Sequence, residues 1–276
     1  MPIDESGFLA TEIQHWIKRI RQDHSALFML ADEVNRLCQK SMFELDAHNR
    51  NVQEMLVATL YIRVLSNYQG AILLCERGMT PEARTVLRAM LEALFSLCAI
   101  AKEQKLAVDF VKEDQRRRLK FLVKYRKVYD GLPEHVDPHE IETLEEELKK
   151  EKNEIRERST EEWAKEAGLH DWYLTAYAVL SDSVHSKVRD LERYLFLNEK
   201  EEVVRFRWGP DDNWIQEILV TNIEGILVGL KCTISFFGQQ KDKIIEDLRA
   251  RLREIAVLRD AKGIPYLTTR GEGDVK

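Results

Sequence analysis

The sequence predicts an all-α fold, a multi-helix bundle, and three observations carry that reading. Only 12 Gly and 6 Pro punctuate 276 residues, so few positions break a helix. Apolar residues recur at three- and four-residue spacing through most of the chain, and the β-branched and aromatic pattern that suits a short β-hairpin or an irregular connection is confined to about 194–208. Helix start and stop signals flank the best of these runs, with Gly78 before it and Thr80 and Pro81 at its beginning. At this length one core of good size can form. With no repeat, low-complexity tract or strong linker, residues 1–260 read as one helical domain and 261–276 as a disordered tail.

Taken in order, Asp4 to Ala47 reads as one or two amphipathic helices with a break near His24. A helix starting around Asn49 to Asn51 runs to Gly78, which suits the residue just past a helix end. The helix from Thr80 to Lys102 follows so closely that the two must form an antiparallel hairpin. Thr80 suits its N-cap and Pro81 its first position. Glu103 to Asp130 is helical and basic, and GLPEHVDP then breaks it. A charged helix near 139–166, poor in apolar residues, is expected to project from the bundle. Asp171 to Arg189 reads as a helix again. Beyond Pro210 a long buried helix carries Gly225 and Gly229, which permit close backbone approach, and Lys241 to Asp260 is the last amphipathic helix. That apolar surplus leads us to expect a homodimer.

The helix from Thr80 has so wide an apolar face that only Arg84, Arg88, Glu92 and Ser96 remain as a polar stripe, each four residues after the last. Buried charges need partners, so the stripe is a candidate ligand site. Two structural alternatives stand beside it, a solvated face with an Arg88–Glu92 pair and a buried network from Glu92 to an arginine such as Arg63. Arg63 and Asn67 form a second polar pair in the apolar run of the preceding helix, and join Arg84, Arg88 and Glu92 as candidate ligand-binding residues. A further stripe, Tyr177, Ser181, His185 and Arg189, combines groups that orient water, bind an anion or exchange protons near neutral pH. Its structural alternative is a histidine held near a helix C-terminus.

The basic cluster holds Arg116, Arg117, Arg118, Lys120, Lys124, Arg126 and Lys127, interleaved with Phe110, Leu119, Phe121, Leu122, Tyr125 and Tyr129. Such interleaving suits stacking on nucleic acid, and those aromatics suit core positions equally well. A net charge of −6 excludes a generally basic nucleic-acid-binding surface and leaves only a local one. No Walker loop, dinucleotide glycine fingerprint, H-E-x-x-H or G-x-S-x-G occurs, and no cofactor or metal site is expected. Cys38, Cys75, Cys98 and Cys232 lie far apart in helical runs, which suits free thiols in a reducing cytoplasm. The N-terminus lacks a signal layout, and no uninterrupted apolar run of about 18 residues marks a membrane span.

The run YIRVLSNYQGAILLCERGMTPEARTVLRAMLEALF with the later WYLTAYAVLSDSVHSKVRDL resembles the bacterial domain-of-unknown-function family 5677. Its pattern falls on Gly78, Glu82, Ala83, Arg88, Glu92, Leu180, Ser181 and His185, within about Tyr61 to Arg189. The resemblance implies a helical fold and no assigned activity. Helical families of similar appearance belong to the higher-eukaryote-and-prokaryote nucleotide-binding group, several of which are metal-independent RNases of defence or toxin systems. That likeness implies RNA as a substrate, with His185 as acid/base, Ser181 and Tyr177 orienting and Arg88 stabilising phosphate. The group's arginine just before the histidine is missing, since Ala178, Val179 and Leu180 stand there, so Arg84 or Arg88 must come from the neighbouring helix. The other class consistent with the residues is a non-catalytic module binding a small anionic ligand or a protein partner.

Overall fold

Two long helices, α3 (Val52–Glu76) and α4 (Thr80–Lys102), are joined by so little chain that they fold back on each other as a hairpin. The turn is made by Gly78 at φ +68°. Its amide donates to the Cys75 carbonyl at 3.0 Å and the Met79 amide to the Leu74 carbonyl at 3.0 Å, which closes the end of α3 in a Schellman motif. A Cβ at Gly78 would also lie 2.7 Å from the Asp211 amide nitrogen, so the position needs glycine for space as well as for φ. At the start of α4 the boundary lies one residue earlier than the sequence suggested. Met79 occupies the N-cap, and Thr80 is already helical and fully buried, its hydroxyl without a partner among the described residues.

The computed structural model describes residues 6–129, 136–137, 139, 141–143, 146, 157–184, 191–206 and 208–260. It is an all-α bundle with one short β-hairpin. Helices α1 (Ile13–Asp23) and α2 (Ser25–Phe43) are separated at His24, where the sequence suggested a break. Next come α3, α4 and α5 (Gln104–Tyr129), then α6 (Thr160–Ala167) and α7 (Ala178–Val184). Strands β1 (Leu195–Leu197) and β2 (Val203–Phe206) pair antiparallel, with Phe196 opposite Arg205, whose guanidinium lies 3.9 Å from the Phe196 ring centre. The last helices are α8 (Ile215–Phe236) and α9 (Asp242–Asp260).

One hydrophobic cluster runs through α2, α3, α4 and α8, with Leu87, Leu91 and Leu94 of α4 packed among Phe28, Tyr61, Val64 and Ile226. Several of its buried polar groups are answered across helices. The Tyr61 and Tyr68 hydroxyls donate to the Cys38 and Ala31 carbonyls of α2 at 3.1 and 2.8 Å, and Asn222 of α8 donates to the Tyr68 carbonyl at 3.0 Å. Gly225 of α8 admits Met90 of α4, whose terminal carbon would lie 2.4 Å from an added Cβ, and Gly229 admits Leu94. Both glycines therefore serve contacts within the chain, and the face they occupy is not left over for a second copy. Helix α8 is long and apolar enough to cross a membrane by length and composition, yet 61% of its apolar window is buried in the bundle. Cys38, Cys75 and Cys98 are buried free thiols, and Cys232 is half-buried.

The charged stretch expected as one projecting helix over 139–166 divides. Residues 147–156 lie outside the described residues. At its end Ser159 starts a new helix through a capping box, its hydroxyl accepting from the Glu162 amide while Glu162 accepts from the Ser159 amide. That helix, α6, does not project: Trp163, Ala164 and Ala167 are buried, and α6 packs on α4. Its spacing of apolar residues is too short to have shown against the Glu and Lys around it. The tail 261–276 and the last residues expected of the following helix, 185–189, lie outside the described residues.

Candidate functional site

Four elements meet around a cleft of about 500 Å³. Helix α3 contributes Leu60 and Arg63, α4 contributes Ala89, Glu92, Ala93 and Ser96, and α5 contributes Phe110, Glu113 and Arg117. The fourth wall is Arg158, just before α6, with Thr160 and Trp163 of α6 itself. Proximity of α5 to α4 follows from Glu103, whose extended conformation (φ −138°, ψ 111°) breaks the helix and turns the chain in a single residue.

The α6 wall is fixed by a buried ion-pair network. Arg158 donates to Glu113 at 2.9 Å and to Asp109 at 2.7 Å, and its guanidinium lies 5.4 Å from the Trp163 ring centre. Trp163 meets Phe110 edge to face at 5.6 Å. Burial pulls the Arg158 pKa down, but the bonds from Asp109 and Glu113 outweigh it and the net shift is upward. Asp109 and Glu113 are like charges four apart, an unfavourable pair on an isolated helix, and this was the one signal in the sequence that a cation must meet them. Nothing local pointed to Arg158 as that cation.

Behind the α4 wall lies a second connected group. The Arg88 guanidinium donates to the Tyr177 hydroxyl at 2.7 Å and pairs with the Glu92 carboxylate at 3.1 Å, while the same hydroxyl donates to Glu92 at 2.7 Å. Tyr177 reaches α4 from a π-helical turn, Tyr173–Tyr177, which precedes α7; such extra-residue turns re-aim side chains and recur at functional sites. Its ring stacks on Tyr173 at 5.2 Å and meets Phe95 edge to face at 6.0 Å. Burial, and then the bond to Glu92, push the Tyr177 pKa up against the opposing bonds from Thr160 and Arg88, so the phenol is protonated at neutral pH. The Arg88 Nε is buried without a hydrogen-bond partner among the described residues.

The structure thus joins Arg88, Glu92 and Tyr177, and it puts Arg63, Glu92 and Ser96 on one cleft. Arg84 is buried and donates to the Val179 carbonyl at 3.1 Å, which ties α4 to α7 one turn from Arg88. The Ser181 hydroxyl donates to the Tyr177 carbonyl at 2.9 Å, a bond along its own helix. Arg63 is exposed and makes no ion pair or hydrogen bond among the described residues, whereas Asn67, one turn on, does not line the cleft and has a buried amide nitrogen without a partner. His185 and Arg189 lie outside the described residues. Sequence reasoning missed Asp109, Glu113, Arg158, Thr160 and Trp163.

No curated protein and no solved structure matches the chain. A family model does, over residues 54–202. That span is more than half of the chain and holds nearly all of α3, with α4, the capping box of α6, the π-helical turn and the start of the hairpin. It also holds the Schellman glycine and the Arg88–Glu92–Tyr177 group, so the elements that shape the cleft are the ones the match covers, and the chain belongs to the family of unknown function DUF5677.

Proposed function

We propose that the chain is a helical binding module whose cleft takes a small phosphate-bearing ligand. The observation that carries this reading is the convergence of Arg63, Arg117 and Arg158 with Thr160, at the first turn of α6, on one cleft. Arg158 is neutralised by Asp109 and Glu113 and serves to shape the wall. Arg117 lies 3.9 Å from the exposed Glu157, a weak pairing. Arg63 carries a positive charge unopposed among the described residues, and guanidinium groups bind phosphate in a bidentate fashion. Glu92 gives the opposite wall an acceptor for a ligand hydroxyl or amine.

Calorimetric titration of the protein with inorganic phosphate, adenosine monophosphate and adenosine tests this. Binding of the phosphate-bearing compounds alone, lost in Arg63→Ala, is the expected result. Equal binding of adenosine, or an unchanged affinity in the variant, defeats it.

A second reading, a metal-independent RNase, draws support from two contacts. Arg84 and Arg88 both reach the segment that leads to His185, as that chemistry requires of an arginine from the neighbouring helix. Cleavage of mixed RNA that resists chelator and disappears in His185→Ala distinguishes it. Cytoplasmic location and a homodimer belong to the same proposal. For the dimer the supporting surface is the hairpin, where Val203, Val204, Phe206 and Trp208 are all exposed, and light scattering at high concentration reads the outcome.

A further inference from the structure

The face of α5 that forms one wall of the cleft does not stop there. Glu113, Arg117, Phe121, Tyr125 and Tyr129 follow at four-residue spacing, so the stripe that begins in the cleft continues along the helix for about 18 Å from Arg117 to Tyr129. Beyond Arg117 it becomes a ladder of rings: Phe121 and Tyr125 lie 6.0 Å apart and Tyr125 and Tyr129 4.6 Å apart, each pair tilted. Phe121 is 60% and Tyr129 67% exposed. The sequence left these aromatics open to a core role, and Phe110 and Leu122 do take core positions, but the ladder does not.

Charge runs with the rings. From Gln115 to Tyr129 the helix has seven Lys and Arg and no Asp or Glu, in a chain whose net charge is −6. Arg118 and Lys124 flank the ladder on its two sides, and Lys124 makes no ion pair or hydrogen bond among the described residues. Among the described residues, the stretch that follows in sequence meets α5 through Val136 and Ile141, which cluster with Leu119 and Leu122, and through Glu157 on Arg117 and Lys120.

We propose that this face of α5 binds single-stranded nucleic acid, with bases stacked on the ladder and the phosphates drawn to Lys124 beside it. The chemistry is that of an aromatic platform beside a basic track. A protein docking surface of this size would keep its rings and not need fifteen residues free of acid, whereas a polyanion with flat apolar faces uses both features. Tyr125 and Tyr129 touch each other, so bases lie over the outward faces of the rings and do not enter between them. A duplex hides its base faces in its own stack and leaves the ladder idle. The site is separate from the cleft's Arg63, so each reading stands or falls alone.

Fluorescence anisotropy with labelled dodecamers tests it: oligo-uridylate, oligo-thymidylate, a 12-base-pair duplex and, as a polyanion without bases, poly-glutamate. The two single strands should bind and the duplex and poly-glutamate much more weakly; a preference between the first two tells RNA from DNA. Tyr129→Ala and Phe121→Ala should each weaken single-strand binding roughly tenfold, in line with the loss of one stacked base. Lys124→Glu should weaken it and make the slope of log affinity against log salt shallower by about 0.7. Arg63→Ala should leave it unchanged. These side chains are exposed, and an unaltered circular dichroism spectrum verifies each fold. No single-strand binding, ring variants that bind as the parent does, or equal binding of poly-glutamate overturns the proposal.

Discussion

Helices α4 and α5 are consecutive, of 23 and 26 residues, and each carries several arginines, yet they use them in opposite ways. On α4 the arginines are drawn into the bundle, Arg84 to the Val179 carbonyl and Arg88 to Tyr177 and Glu92. On α5, after Glu113, only Leu122 is buried among the described residues, and Phe121, Tyr129, Lys124 and Arg126 are exposed. Spacing tells which residues share a face, and the neighbours decide what that face is for. Helix α4 is enclosed by α3, α6, α7 and α8, whereas the far half of α5 has left them behind. The same residue types therefore tie helices together on one helix and form open surface on the next.

The contrast is largest in the apolar positions. Leu91 of α4 is fully buried, so Leu91→Ala should cost about 2–5 kcal/mol, while Val128→Ala on α5, where the side chain is 72% exposed, should change stability by less than about 0.5 kcal/mol. Urea unfolding of the two variants measures both, and comparable losses would break the contrast at its base.

The polar stripe of α4 comes next. Glu92→Ala removes the carboxylate that accepts from both Arg88 and Tyr177. A fully buried pair broken this way loses about 3–5 kcal/mol, but the Glu92 side chain is 41% exposed and water screens what remains, so about 1–2 kcal/mol is expected. Glu92→Gln keeps an acceptor and should lose less. A loss in the alanine variant as small as that of a surface substitution would mean that the stripe on α4 is solvated after all.

How much of this was legible in the sequence follows the same division. The α3–α4 hairpin was readable because its signals are local: Gly78 must take a positive φ, and the residues around it repeat every three or four. Arg84, Arg88 and Glu92 stood out as polar residues on an apolar helix, and Tyr177 was singled out on its own stripe. That Arg84 or Arg88 should reach the second stripe was an expectation from the sequence; that Arg88 and Glu92 do so through Tyr177 was not readable, because a π-helical turn shifts the face of every residue after it and leaves no composition signal. The clamp of Arg158 on Asp109 and Glu113 was hidden for another reason: it joins positions more than forty residues apart through a chain reversal. Thr80 resembled an N-cap but is buried, since the Schellman turn at Gly78 already sets where α4 begins. Gly225 and Gly229 signalled close approach correctly without revealing that the approaching helix is α4 of the same chain.

On α5 the cations should be nearly silent in stability. Lys124→Ala combined with Arg126→Ala removes two exposed charges that make no ion pair among the described residues, and unfolding should shift by less than about 0.5 kcal/mol. A marked gain in stability would show that their mutual repulsion is a real cost of keeping this face basic, and a marked loss that they have structural partners. The gain would sharpen the contrast with α4, where the arginines are tied in, and the loss would break it.

The subtlest difference is in the alkaline range, and it comes from the phenol that closes the α4 stripe. The Tyr177 pKa is raised by burial and by its bond to Glu92, so the fold favours the neutral form over the unfolded chain, where a tyrosine ionises near 10. The sign follows from linkage: the contribution is complete below about pH 10 and is lost as pH rises through the raised folded value, because the unfolded chain gives up its proton first. Stability of the parent should therefore fall above pH 10 more steeply than that of Tyr177→Phe. Tyr61 and Tyr68 are also raised by burial and bend both curves alike, so the difference between the curves isolates Tyr177. Below pH 10 the curves should run parallel, offset by about 0.5–1.5 kcal/mol for the hydroxyl's bonds to Arg88 and Glu92. Curves that stay parallel through pH 11 would mean that the hydroxyl reaches solvent freely, and that the junction of Arg88, Glu92 and Tyr177 is looser than its 2.7 Å bonds imply.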